Sequence, residues 1–100
     1  MKRLVFAKRA VTDLEAIADY IAADSPARAT IFVQELRGAC GELCTMPERY
    51  PLVEGHQSSG IRRRVYGSYL IFFRVGSHAV EILHILHGAM DYQRILFPES

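Results

Sequence analysis

Three strand-like segments in the second half of the chain constrain its fold most. Ile61–Tyr66, Tyr69–Val75 and 79–86 are rich in β-branched and aromatic residues, which favour strands. Connections of only two and three residues, each containing a glycine, separate these segments. Because such short connections join antiparallel neighbours in hairpins, the pattern predicts an antiparallel β-meander.

The first half of the chain carries two helical patterns, in which apolar residues recur at spacings of three and four. Between them, Ser25 suits an N-cap and Pro26 suits the first helical turn. This connection is short, so we expect a helical hairpin, and Pro47 is expected to end its second helix. The apolar stripes are Val11, Leu14, Ala18 and Ile21 in the first helix, and Phe32, Leu36, Ala39, Cys40, Leu43 and Met46 in the second.

Short elements complete the predicted α+β architecture. Arg3–Phe6 predicts an opening strand, and Tyr92–Leu96 predicts a short C-terminal helix with Asp91 as its N-cap. The segment 92–100 has little chain left to pack against, so we expect it to become ordered only against a partner. The sequence thus predicts one domain over residues 1–100, with an N-terminal strand and a helical hairpin packed on the meander.

Alternation along the predicted strands assigns the two faces of the sheet. The more apolar face is expected to carry the helical hairpin, and the other is expected to stay open to a partner. Leu70, Phe72 and Leu83 predict an exposed apolar patch on the open face. The hairpin face contains Arg62, Arg64, Tyr66, Tyr69, Ile71, Phe73, Val75, Val80, Ile82, His84 and Leu86. The open face contains Ile61, Arg63, Val65, Leu70, Phe72, Arg74, Glu81, Leu83, Ile85 and His87.

Composition argues against several classes of protein. Twelve Lys and Arg residues against eleven Asp and Glu give a net charge of +1, without the excess typical of a nucleic-acid binder. The apolar run near the N-terminus is too short for a signal peptide or a membrane span, so we expect a cytoplasmic protein. Cys40 and Cys44 share one helix face, which favours reduced core thiols, and we expect no metal and no cofactor.

Polar residues near the chain end have two interpretations each. His87 and Tyr92 suit proton transfer, but they equally suit a strand end and helix packing. Asp91 is better explained as a helix cap than as a functional acid. His84, among apolar neighbours, is expected to be a core histidine with satisfied hydrogen bonds.

The arginines of the sheet also have two interpretations. Arg74 lies beside Glu81 on the predicted open face, so an ion pair and a contact site are equally plausible there. Three successive arginines in the first meander strand either bind a partner through carboxylates or protect a solvated edge strand. They are Arg62, Arg63 and Arg64.

These elements, in this order, resemble the RelE/ParE superfamily of toxins from bacterial type II toxin–antitoxin systems. The likeness covers nearly the whole chain, including Ser25-Pro26, Met46-Pro47 and Ile61-Arg62-Arg63. Its two sharpest parts are Gly-Ser-Tyr-Leu-Ile-Phe-Phe-Arg-Val at 67–75 and Ile-Leu-His-Gly-Ala-Met-Asp at 85–91. Membership implies this α+β fold and a cognate antitoxin whose segment lies over the hairpin and the sheet.

The superfamily contains two activities, and the resemblance favours the ParE branch. The closing His-x-x-Met-Asp is similar to the ParE pattern, whereas Leu70 and Met90 stand where RelE-like nucleases commonly carry arginine. The implied function is inhibition of DNA gyrase by protein binding, without chemistry of its own, neutralised by a ParD-like antitoxin in a hetero-oligomeric complex. Contacts to target or antitoxin are expected from Arg62, Arg63, Arg64, Leu70, Phe72, Arg74, Leu83, His87, Asp91 and Tyr92.

Two alternatives remain open at this point. The first is a RelE-like, metal-independent endoribonuclease that cuts mRNA on the ribosome, which requires a general base, a general acid and cations for the phosphorane charge. Its catalytic residues would be Arg63, Arg74, His87 and Tyr92. The second is a degenerate toxin that only binds its antitoxin and helps to repress their operon.

Overall fold

The computed structural model describes residues 1–99 as two long helices packed on one face of a four-stranded sheet. Ser100, part of the predicted C-terminal segment, lies outside the described residues. The α+β prediction is confirmed, including the helical hairpin, the meander and the short last helix. In chain order the elements are β1 (Arg3–Phe6), α1 (Lys8–Ala22), α2 (Pro26–Glu42), β2 (Ile61–Tyr66), β3 (Tyr69–Val75), β4 (Ala79–His87) and α3 (Tyr92–Leu96).

The sheet has the strand order β1-β4-β3-β2. Strands β2, β3 and β4 form the predicted antiparallel meander, and β1 pairs in parallel with β4. Pairing starts with Arg3 beside Ala79 and stops with Phe6 beside Ile82, although β4 continues to His87. The last five residues of β4 therefore have no strand on the β1 side.

The helical hairpin begins as the sequence predicts and ends earlier. Ser25 caps α2 by accepting a hydrogen bond from the backbone N–H of Arg28 at 3.3 Å, with Pro26 in the first turn. Helix α2 ends at Glu42, so the prediction that it continues to Pro47 was wrong. The backbone takes a left-handed conformation at Met46, with φ of 52°, and this residue is 67% exposed.

The buried side of α1 is shifted from the predicted stripe. Ala10, Leu14 and Ile17 are buried, whereas Val11 is exposed. These three residues keep the spacing of three and four that places side chains on one helix face. They pack with α2 and with the apolar residues of β3 and β4 in the main core.

Both cysteines lie in this core. Cys40 and Cys44 are buried free thiols, as predicted. Burial raises the pKa of the Cys40 thiol to about 12, against a smaller opposing effect of the Arg64 charge. Cys40 therefore stays protonated at neutral pH and has little of the thiolate character that makes cysteine reactive.

A bulge in β4 changes the predicted faces of the sheet. Phe73 pairs with Ile82 but Phe72 pairs with His84, so Leu83 is an additional residue on β4. Beyond the bulge Ile85 joins the main core beneath the hairpin. The predicted faces were therefore wrong for the end of β4, because one inserted residue exchanges the directions of all later side chains.

The centre of the outer face of the sheet, predicted to be open, is covered, whereas Val65 and Arg74 on that face are exposed. Leu86, moved to this face by the bulge, joins Val53, Ile61, Leu70 and Phe72 in a second buried cluster. The C-terminal segment packs against it through the half-buried side chains of Tyr92, Ile95, Leu96 and Phe97.

The prediction of an exposed apolar patch was thus wrong, since Phe72 is 0% exposed. The expectation that the C-terminal segment needs a partner to become ordered was also wrong for its described part. The Tyr92 ring contacts the Phe72 ring with centroids 5.1 Å apart, and Phe97 stacks on His56 at 3.7 Å. Among residues 1–99, none of the helices is long and apolar enough to cross a membrane.

Candidate functional site

Two of the three successive arginines of β2 make hydrogen bonds within the chain. Arg62 donates to the backbone oxygens of Glu48 and Tyr50, at 3.1 and 2.7 Å. Arg64 donates to the backbone oxygen of Ala39 and to the Glu42 carboxylate, both at 2.8 Å. These bonds tie the loop before β2 and the end of α2 to the edge of the sheet.

The other arginines of the sheet have free guanidinium groups within the part of the chain that the structure describes. Arg63 is half-buried opposite Phe72 on the outer face and makes no side-chain hydrogen bond there. Arg74 is exposed and is the register partner of Glu81, but no ion pair joins them within residues 1–99. Of the predicted contact residues on the strands, Arg63 and Arg74 therefore present the cations that an external partner can reach.

Replacement of Arg64 by alanine is expected to lower the free energy of unfolding by about 2 kcal/mol, because it removes two charge-assisted hydrogen bonds from a half-buried site. The matched Arg63→Ala change is expected to cost less than about 1 kcal/mol, since that guanidinium has no intramolecular partner. Urea unfolding followed by far-ultraviolet circular dichroism measures both. Equal losses in the two variants would contradict this division of roles.

The residues of the alternative nuclease hypothesis do not come together. His87 is the register partner of Tyr69, against whose ring its own ring packs edge-on at 5.4 Å, and it borders α1. Tyr92 packs against Phe72 on the outer face, and Arg63 lies on that same outer face. The sheet thus separates the candidate imidazole from the candidate phenol.

Asp91 is a helix cap, as its position predicts. Its side chain accepts a hydrogen bond from the backbone N–H of Arg94 at 3.4 Å. The His87 ring performs a similar local task, because its Nδ1 accepts from the backbone N–H of Ala89 at 3.1 Å. Both side chains therefore order the turn between β4 and α3.

Sequence reasoning missed a cleft between α1 and the free edge of β4, called here the α1–β4 cleft. The cleft is open to solvent and has a volume of about 550 Å³. Its lining residues are Asp13, Ala16, Ile17, Tyr20, Ser68, Tyr69, Ile85, Leu86, His87 and Met90. The sequence contains one signal for it, since Asp13 is spaced three from Ala10 and four from Ile17, which places a carboxylate on the buried side of α1.

Asp13 accepts a backbone hydrogen bond at the edge of β4, at a position where no strand pairs with β4 on that side. Its Oδ2 accepts a hydrogen bond from the backbone N–H of Ile85 at 2.9 Å and lies 2.7 Å from His84 Nδ1. A carboxylate only accepts, so the His84 proton lies on Nδ1. Among residues 1–99, His84 Nε2 is buried without a hydrogen-bond partner, so the prediction of a fully satisfied core histidine was wrong.

Aromatic and thioether groups surround the mouth of the α1–β4 cleft. Tyr20 is 79% exposed, and Met90 is also exposed. Burial, and to a lesser degree the nearby Tyr20 phenol, raises the pKa of the Tyr69 phenol, which therefore stays neutral at physiological pH. The cleft combines an apolar floor, aromatic walls and one carboxylate.

Comparison with known proteins identifies the family. The family model described as the ParE toxin of the type II toxin–antitoxin system parDE matches residues 4–92. The chain belongs to the ParE toxin family. This match includes both long helices and the whole sheet except Arg3, the first residue of β1, and it confirms the resemblance seen in the sequence.

Two solved structures share the ParE fold of this chain. The chromosomal ParDE system of Pseudomonas aeruginosa matches with a TM-score of 0.73 and 24% identity, over 87% of this chain and 96% of that one. The RelBE2 toxin–antitoxin complex of Mycobacterium tuberculosis matches with a TM-score of 0.61 and 21% identity, over 86% and 96%. No curated protein matches the chain significantly. Within residues 1–99, no group of three or more His, Cys, Asp or Glu side chains is arranged to hold a metal ion.

Proposed function

We propose that this ParE-family toxin inhibits DNA gyrase by binding it in the cytoplasm and that a ParD-like antitoxin neutralises it in a hetero-oligomeric complex. The observation that carries this proposal is the family match over residues 4–92. The antitoxin partner is supported by the two structural relatives, both of which come from toxin–antitoxin systems.

The arrangement of polar residues supports target binding rather than RNA cleavage. A nuclease of this kind needs a base and an acid on either side of one reacting phosphate, within hydrogen-bond reach. Here His87 borders the α1–β4 cleft, while Tyr92 and Arg63 lie on the outer face. A net charge of +1 also provides little attraction for the dense phosphates of a ribosome.

A supercoiling assay tests the proposal directly. Purified bacterial DNA gyrase, relaxed plasmid and ATP are incubated with increasing amounts of the chain. We expect loss of supercoiled product or accumulation of broken plasmid after the proteins are denatured. The same chain, unfolded by heat before mixing, is the control for non-specific effects.

An experiment in cells separates the two candidate activities. Induction of the chain in a bacterium is expected to produce chromosome breaks and an SOS response while mRNA stays intact. Rapid loss of translated mRNA with cuts in register with codons would contradict gyrase inhibition and favour the nuclease. Normal growth with soluble protein present would indicate a degenerate toxin.

A further inference from the structure

The α1–β4 cleft exists because two neighbouring strands have different lengths. Strand β1 ends beside Ile82, so the edge of β4 beyond it pairs with no strand on the β1 side, and residues 85–87 line the cleft beside α1. The side chains of α1 do not fill the space beside this edge of β4, and a volume of about 550 Å³ stays open to solvent. This volume is within the range typical of ligand-binding clefts.

The only formal charge among the residues that line the α1–β4 cleft is the Asp13 carboxylate, histidine apart. Its Oδ2 is occupied by the Ile85 N–H and His84 Nδ1, but its Oδ1 accepts no hydrogen bond within residues 1–99. No lysine or arginine in that part of the chain forms an ion pair with it. A second acceptor oxygen is therefore available beside the cleft.

Two tyrosines and two isoleucines also line the α1–β4 cleft. Tyr20 and Tyr69 present aromatic rings, and Ile17 and Ile85 form a buried apolar floor. Aromatic faces attract cations, most of all guanidinium groups, which also stack on them. The apolar floor suits the aliphatic stem of a long basic side chain.

We propose that the α1–β4 cleft binds an arginine side chain of the antitoxin, with the guanidinium between the Asp13 Oδ1 and the tyrosine rings. This inference rests on the antitoxin partner proposed above. A purely apolar occupant would cover the free Asp13 oxygen without replacing its hydrogen bonds to water, which is unfavourable. A lysine would supply charge but no planar group to stack.

The test is a nuclear magnetic resonance titration of the isotope-labelled chain with the peptide acetyl-Leu-Arg-Leu-amide. The control peptide contains citrulline, which has the shape of arginine without its charge. We expect the arginine peptide to shift the amide signals of Ile17, Tyr69 and Ile85, with an affinity about tenfold above that of the citrulline peptide.

Two variants of the chain test the residues named. Asp13→Asn keeps one oxygen for the Ile85 N–H and His84 but removes the charge, and it is expected to abolish the preference for arginine. Tyr20→Ala removes an exposed aromatic wall and is expected to weaken arginine binding about threefold. Glu15→Gln removes one negative charge at an exposed position of α1 outside the cleft. This variant is expected to leave the affinities for both peptides unchanged.

Equal binding of the two peptides, or signal shifts confined to another surface, would overturn the inference. The same holds if Asp13→Asn keeps the full preference for arginine. Gyrase is absent from this titration and peptide is absent from the supercoiling assay, so the two proposals fail separately. A chain that binds the arginine peptide but leaves gyrase active would refute the proposed target alone.

Discussion

A Phe72→Ala variant is expected to lose about 3–5 kcal/mol of unfolding free energy, the usual cost of removing a fully buried aromatic ring. Phe72 is 0% exposed on the outer face, where Tyr92 packs against it. Because a chain of this size has a total stability of about 5–15 kcal/mol, a large fraction of its stability depends on this one ring. Urea unfolding at 25 °C measures the loss.

Val65→Ala is the matched control for this prediction. Val65 is on the same face, in β2, but 61% exposed, so its truncation is expected to cost less than about 1 kcal/mol. If Phe72 were instead an exposed contact for the antitoxin, Phe72→Ala would unfold at the wild-type urea concentration and only antitoxin binding would weaken. That result would contradict the covered outer face.

An Asp13→Ala variant is expected to lose about 2–5 kcal/mol, because it leaves the Ile85 N–H and His84 Nδ1 without an acceptor in a largely buried site. Hydrogen exchange at the Ile85 amide is expected to accelerate in the same variant. Asp13→Asn, which retains an acceptor oxygen, is expected to keep most of the stability and most of the amide protection.

A double-mutant cycle with His84→Ala measures the coupling between the two side chains. We expect the double variant to cost less than the two single losses together, since either change alone already breaks the 2.7 Å contact. Strictly additive losses, or an Ile85 amide that exchanges as slowly in Asp13→Ala as in the wild type, would contradict the edge role of Asp13.

The sequence predicted the helices and strands more accurately than it predicted which side chains each face of the sheet carries. The short connection at Gly67 and the cap at Ser25 are local signals, and the hairpin and the helix start that they predict are present. The bulge at Leu83 has no such signal, since adjacent apolar pairs lie on both sides of His84, at 82–83 and at 85–86, and these pairs fit either register. Only the pairing with β3 decides which of these side chains face the hairpin.

The candidate site was harder to predict than the fold because it depends on contacts between residues that are distant along the chain. Arg62 and Arg64 appear as a surface charge run in the sequence, but their partners, the backbone oxygens of residues such as Tyr50 and Ala39, are distant along the chain. The α1–β4 cleft depends on where β1 stops relative to β4, which no residue pattern encodes. The assignment of Asp13 to the sheet edge required the packing of α1.

The parallel pairing of β1 with β4 determines when a newly made chain can fold. Residues 3–6 are synthesised 76 residues before their partners at 79–82. Strand β4 also lies between β1 and β3, so the nascent chain lacks a central strand until then. Pairings so distant along the chain form late, and unfinished chains have no complete sheet. Chains interrupted before β4 therefore lack both the covered centre of the outer face and the α1–β4 cleft.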